Sequence, residues 1–78
     1  MPENNYDDLL DASGLNCPLP LLKAKQALNK MQVGAVLKVI ATDSGSIRDF
    51  KAYTEQSDHE LLQSFTDQEP YVYLIRRG

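Results

Sequence analysis

The chain is 78 residues long, 42% apolar and 24% charged, which describes one folded domain and excludes both a second domain and a disordered chain. Eight Lys and Arg stand against eleven Asp and Glu, a net charge of −3 that excludes tight nucleic-acid binding through a strongly basic surface. Cys17 is the one cysteine, so an intramolecular disulfide and a disulfide-stapled secreted scaffold are excluded as well.

In chain order, residues 1–6 read as a polar tail and residues 7–78 as a single domain. The start of the chain is acidic and lacks a basic segment followed by an apolar one, so no signal peptide is expected. No apolar run approaches the length needed to cross a bilayer. These features predict a cytoplasmic protein whose lone thiol stays reduced. Leu9, Leu10 and Ala12 predict a short first strand that ends at Ser13-Gly14. Leu21, Ala24, Leu28 and Met31 then recur at helical spacing, widened by Leu15, Leu22 and Ala27, while Lys23, Gln26, Asn29 and Lys30 form the wet side. Gly34 is expected to close this helix.

Residues 35–42 are β-branched and nearly continuously apolar, which predicts a buried central strand. A turn follows over residues 43–46. Ser46 and Asp49, three apart, resemble a capping box at the head of a second helix. Ile47, Phe50 and either Tyr53 or Thr54 make its apolar side, and it is expected to end near Ser57-Asp58. Residues 60–66 and 71–76 read as two strands of a hairpin, joined by the turn Asp67-Gln68-Glu69-Pro70.

The order β-α-β-α-β-β predicts a two-layer α/β sandwich. Its four-stranded mixed sheet carries both helices on one face, and the other face is left partly open as a docking surface. Right-handed crossovers place the loops after the first and second strands on one edge. Residues 15–20 and 43–46 should therefore be neighbours, with His59 on the opposite edge.

The segment Cys17-Pro18-Leu19-Pro20 is the strongest local feature. Pro is favoured at the first helical position, and Pro20 is tolerated in the first turn. With Pro18 as the first helical residue, Cys17 takes the N-cap, where the helix dipole lowers a thiol pKa. Lys23 and Lys25 act in the same direction. A lone cysteine is otherwise a small buried hydrophobe. The two prolines favour an exposed, rigid loop over that alternative, with Gly14, Pro18 and Pro20 shaping it.

One Cys and one His cannot form a closed structural zinc site, and His59 lies too far round the fold for a Cys-His dyad. Gly14, Gly34 and Gly45 are isolated turn glycines and form no phosphate loop. No metal or cofactor is expected. Asp43, on the Cys17 edge, is read either as a turn residue or as a contact for a partner's base. Arg48 is either solvated or a partner contact. Arg76 and Arg77 are expected to be an exposed terminal pair. Residues 12–42 hold no carboxylate but carry Lys23, Lys25, Lys30 and Lys38, a basic region able to steer an acidic partner. A thiol with no base, metal or cofactor is equipped to accept a group and hand it on, and attack on an activated sulfur needs only an exposed nucleophile.

The chain resembles the TusA/SirA-like family of small sulfur carriers. The match runs from about Leu10 to Arg77 and centres on Leu10-Asp-Ala-Ser-Gly-Leu-Asn-Cys-Pro-Leu-Pro20, similar to the family signature Leu-Asp…Gly-Leu-x-Cys-Pro-x-Pro. Met31-Gln-Val-Gly34, Ala41-Thr-Asp43, Arg48-Asp-Phe50, Asp58-His-Glu-Leu61 and the ending Tyr71-Val-Tyr-Leu-Ile-Arg76 add to it. The resemblance implies a β-α-β-α-β-β sandwich with the fourth strand antiparallel to the others. It implies that Cys17 takes sulfur as a persulfide from a cysteine desulfurase and passes it to a downstream sulfur-relay protein. The best-known such relay ends in tRNA 2-thiouridine. Other members serve molybdenum-cofactor synthesis, oxidative sulfur metabolism or thiosulfate uptake beside a permease. Members that thiolate tRNA often carry a basic residue where Asn16 stands and an acid where Leu19 stands, and some have a second cysteine where Ala52-Tyr53 stands. Asn16, Leu19, Lys23, Lys25, Asp43 and Arg48 are the expected partner-facing positions. Direct nucleic-acid contact and membrane insertion are not expected.

Overall fold

A computed structural model describes residues 6–78. The elements are β1 (Asp8–Ala12), α1 (Leu19–Asn29), β2 (Val36–Ala41), α2 (Gly45–Glu55), β3 (Glu60–Phe65) and β4 (Tyr71–Arg76). They form the expected α/β sandwich. The sheet order is β1-β2-β4-β3. β1 runs parallel to β2, with Leu10 opposite Val39 and Ala12 opposite Ala41. β4 lies antiparallel to β2 and to β3, with Leu37 opposite Ile75 and Val39 opposite Tyr73.

The register explains where the core sits. Leu37, Val39 and Ala41 of β2 point to one face and meet Tyr73 and Ile75 of β4 there. Ala24 and Leu28 of α1 and Phe50 of α2 pack onto those same residues, so both helices cover one face. The Phe50 and Tyr73 rings stack with centroids 4.6 Å apart, and the Ser46 and Tyr73 hydroxyls share a hydrogen bond of 2.8 Å in the interior. β2 is therefore not buried throughout. It alternates buried and half-buried residues, because only one of its faces is covered. The uncovered face shows Leu9 and Phe65, both exposed, with Ile40 and Val72 half-buried between them.

Several boundaries differ from the sequence expectation. α1 begins at Leu19 and not at Pro18, which occupies the N-cap at φ −99° and ψ 18°. Pro20 sits in the first turn, buried, where the missing N–H leaves no bond unmade. α1 stops at Asn29, so Met31 lies beyond it and Leu22 faces solvent instead of widening the stripe. Gly34 does not cap the helix. It lies at φ +92° in the turn before β2, and its N–H donates to the Arg77 carbonyl at 2.8 Å.

Arg77 is half-buried, not exposed. Its guanidinium donates to the carbonyl of Asn29, the last residue of α1, and to that of Met31 just beyond the helix. Arg76 pairs with Glu60 on the surface. α2 starts after Ser44 and ends at Glu55, earlier than expected. Its inward stripe is Ser46, Phe50 and Thr54, spaced by four, and Ile47 lies at the margin of that stripe, 37% exposed. Ser46 does not form a capping box with Asp49, since its hydroxyl is turned inward to Tyr73. β3 is an exposed edge strand with a bulge between Leu61 and Gln63.

Candidate functional site

The site forms where the β1–α1 and β2–α2 loops meet. Gly14, at φ +81°, turns the chain out of β1 in a conformation that other residues rarely adopt. Its N–H donates to Thr42 Oγ1 at 2.9 Å and so ties this loop to the end of β2. The Leu19 N–H donates to the Asn16 carbonyl at 2.8 Å, closing a turn around Cys17 and Pro18. The Cys17–Pro18 peptide bond is cis. Asn16, Cys17, Pro18 and Leu19 are all exposed, so Cys17 is not a buried core thiol.

The second loop supplies the floor. Asp43 Oδ2 accepts from the Gly45 N–H at 2.9 Å, the local turn bond expected of an Asp at this place. Gly45 lies directly under the cysteine. A Cβ there would stand 2.8 Å from Asp43 Oδ2, 3.2 Å from Cys17 Cβ and 3.4 Å from Cys17 Sγ. Only glycine lets the start of α2 approach the Cys17 loop this closely. One helical turn later, Asp49 receives the thiol: Cys17 Sγ donates to Asp49 Oδ2 at 2.6 Å.

This contact reverses the expected electrostatics. The hydrogen bond from the thiol to Asp49 pushes the Cys17 pKa up, because it holds the proton on sulfur. Partial desolvation and the negative charges of Asp49 and Asp43 add to the rise, and only Arg48 opposes it. The expectation of a lowered pKa is corrected for two reasons. Pro18 takes the N-cap, so Cys17 lies one residue outside the helix start, and no side chain caps α1. The lysines are also turned elsewhere. Lys25 Nζ lies over the Tyr53 ring, 5.1 Å from its centroid. Lys23 lines a shallow groove with Asp8, Leu9 and Lys30 against β1.

The loops that the topology predicted to be neighbours are neighbours, and Asp43 and Arg48 fall on the Cys17 edge. His59 does not: its Nδ1 accepts from the Gly78 N–H at 3.1 Å, and its ring lies 5.6 Å from that of Tyr53. Among the described residues, no three His, Cys, Asp or Glu side chains are grouped to hold a metal ion. A groove of about 510 Å³ lies between α2 and β3 and is lined by Ile47, Thr54, His59, Leu61 and Tyr73 among others. Cys17 is not part of it.

Sequence reasoning missed Gly45 and Asp49. Gly45 read as an ordinary turn glycine, and Asp49 as the partner of a cap. The signal lay in their spacing. Four residues apart, they share the helix face one step round from Phe50, and that face looks onto the Cys17 loop.

The fold and site define a class: a small two-layer α/β sandwich that presents one exposed cysteine on a Pro-rich helix-start loop. The comparisons with known proteins agree. The family model described as Sulfurtransferase TusA matches residues 9–77. The chain is 51% identical over 74 residues to a protein of Allochromatium vinosum named Sulfur carrier protein TusA, covering 95% of this chain and 97% of that one. Its fold is similar to the crystal structure of a SirA-like protein from Desulfitobacterium hafniense. That match has a TM-score of 0.73 at 21% identity and covers 90% of this chain and 95% of the other. The chain belongs to the TusA family.

Proposed function

We propose that this protein is a sulfur carrier that holds sulfane sulfur as a persulfide on Cys17. The sulfur comes from the persulfide of a cysteine desulfurase and is relayed to a downstream protein, in a route toward tRNA 2-thiouridine. The observation that carries the reading is the exposed lone thiol on a loop whose backbone is fixed at Gly14, Pro18 and Pro20. Such a thiol transfers sulfur by attack on the outer sulfur of a donor persulfide, a reaction that needs no cofactor. Family membership supports the same function.

Partners are read to dock around the thiol. Asn16 and Leu19 flank it directly. Leu19 and Leu22, three apart on α1, are both 45% exposed and give the docking face an apolar part. Arg48 supplies positive charge beside the thiol for an acidic partner, whereas Lys23 and Lys25 are turned to the groove beside β1 and to the Tyr53 ring. Asp43 shapes the turn beneath the thiol, where its Oδ2 accepts from the Gly45 N–H, and this bond favours the turn role over contact with a partner's base. Nucleic acid in the pathway is held by a later enzyme and not by this acidic domain.

The test is intact mass spectrometry after mixing the protein with a cysteine desulfurase and cysteine. The expected result is one added sulfur, removed by reductant and absent from Cys17→Ser. No added sulfur on a protein whose Cys17 reacts with iodoacetamide would overturn the desulfurase as donor. Repeating the experiment with thiosulfate and a thiosulfate sulfurtransferase then separates a different donor from a domain that carries no sulfur.

A further inference from the structure

Asp49 has no part in the fold's core and no role as a helix cap, yet its carboxylate is placed 2.6 Å from the sulfur of Cys17. The arrangement is built from three sides. Gly45 removes the side chain that would separate α2 from the cysteine loop. Asp43 is occupied by the Gly45 N–H, so the second carboxylate at the site is committed to the turn. Asp49 is half-buried against the loop and reaches the thiol from the face of α2 that it shares with Gly45. The charged groups that bear on Cys17 are Asp49 and Arg48 of α2 and Asp43 of the β2–α2 loop. On α1, Lys25 lies over Tyr53 and Lys23 lines the groove beside β1.

We propose that Asp49 is a catalytic residue of the carrier: it takes the Cys17 proton as sulfur arrives and holds the proton of the loaded S–H until sulfur leaves. The inference deepens the carrier function proposed above and rests on it. In loading, the Cys17 sulfur bonds the outer sulfur of the donor, and the donor S–S bond breaks. The balance is Cys17–SH + R–S–SH → Cys17–S–SH + R–SH. One S–S bond replaces another, so no external oxidant or reductant is needed. The thiol proton passes from Sγ to Asp49 and returns to the leaving R–S⁻.

The same carboxylate matters once the sulfur is aboard. A terminal S–H is an electrophile open to an acceptor's thiolate, whereas a terminal S⁻ repels that thiolate. A carboxylate hydrogen-bonded to the S–H favours the protonated form, as it does for the empty thiol. Unloading is the mirror reaction, Cys17–S–SH + R′–SH → Cys17–SH + R′–S–SH, with Cys17 leaving beside the proton that Asp49 holds.

The experiment uses the Asp49→Asn variant, with Asp49→Ser as a second variant and circular dichroism to check folding. Two rates are read. The first is alkylation of the empty thiol by iodoacetamide across pH. The second is single-turnover sulfur uptake from glutathione persulfide, followed by intact mass. Removing the carboxylate charge should move the alkylation profile to lower pH and raise the rate at neutral pH several-fold. It should slow sulfur uptake by about tenfold or more, toward the range of general-base effects. A residue that only props the loop would not move the two rates in opposite directions. Uptake as fast in the variants as in the wild type overturns the inference while leaving the carrier function standing. An unchanged alkylation profile overturns it too. A wild-type protein that takes up no sulfur from this persulfide, nor in the desulfurase and thiosulfate experiments above, overturns the carrier function, and the inference falls with it.

Discussion

Cys17 is open to solvent, yet its thiol is harder to ionise than a free one, because its proton lies in a hydrogen bond to Asp49. The sign of the pH dependence follows. A raised pKa means that the thiolate fraction stays small until pH climbs past the ordinary thiol range near ~8.5. Alkylation of the wild-type protein by iodoacetamide should therefore rise with pH through a midpoint more alkaline than that of a cysteine in a short peptide. Arg48 is the one charge that opposes the rise, so Arg48→Gln should move the midpoint further up, measured the same way. Gly45 invites a third substitution. Gly45→Ala sets a methyl group 2.8 Å from Asp43 Oδ2 and 3.2 Å from Cys17 Cβ, and the neighbours must shift. Overpacking of this kind costs about 1–3 kcal/mol, which urea denaturation should register, together with a changed alkylation rate at Cys17.

Among the elements, α2 links the core to the site. Its inward stripe holds Phe50 against Tyr73 and joins the Ser46 and Tyr73 hydroxyls, while the neighbouring face carries Gly45 and Asp49 to the cysteine. Tyr73→Phe leaves the Ser46 hydroxyl buried without this partner, a loss of about 1–3 kcal/mol. The double variant with Ser46→Ala removes both groups and should cost less than the sum of the singles, by chemical denaturation. Much of this layer was legible in the sequence. Tyr71 to Arg76 forms a strand over the expected residues, and Ala24 and Leu28 form the core of α1. What was not legible has local causes. Pro18 is equally suited by its fixed φ to the N-cap and to the first helical position, and the choice decides whether Cys17 feels the helix dipole. Ser46 and Asp49 carry the spacing of a capping box, and only the pairing with Tyr73 shows that Ser46 points inward. Leu22 looked like core by its chemistry, but α1 turns it to solvent beside Leu19.

At the scale of the molecule, an acidic chain presents the exposed Cys17 on an edge where Arg48 is the cation that bears on the thiol. Titration of labelled tRNA with this protein at low salt should show no salt-dependent binding by fluorescence anisotropy, since counterion release needs clustered Lys and Arg. No helix of the described residues is long and apolar enough to cross a membrane. The domain measures 27 × 27 × 19 Å, and Cys17 projects from one loop at one edge, with Asp49 beneath it. Two proteins that each need to touch that sulfur would occupy the same space. Donor and acceptor must therefore visit in turn, and the domain has to let go of the first before it meets the second. The throughput of such a courier is capped by how quickly it departs, so a variant that clings more tightly to its donor would deliver less sulfur, not more.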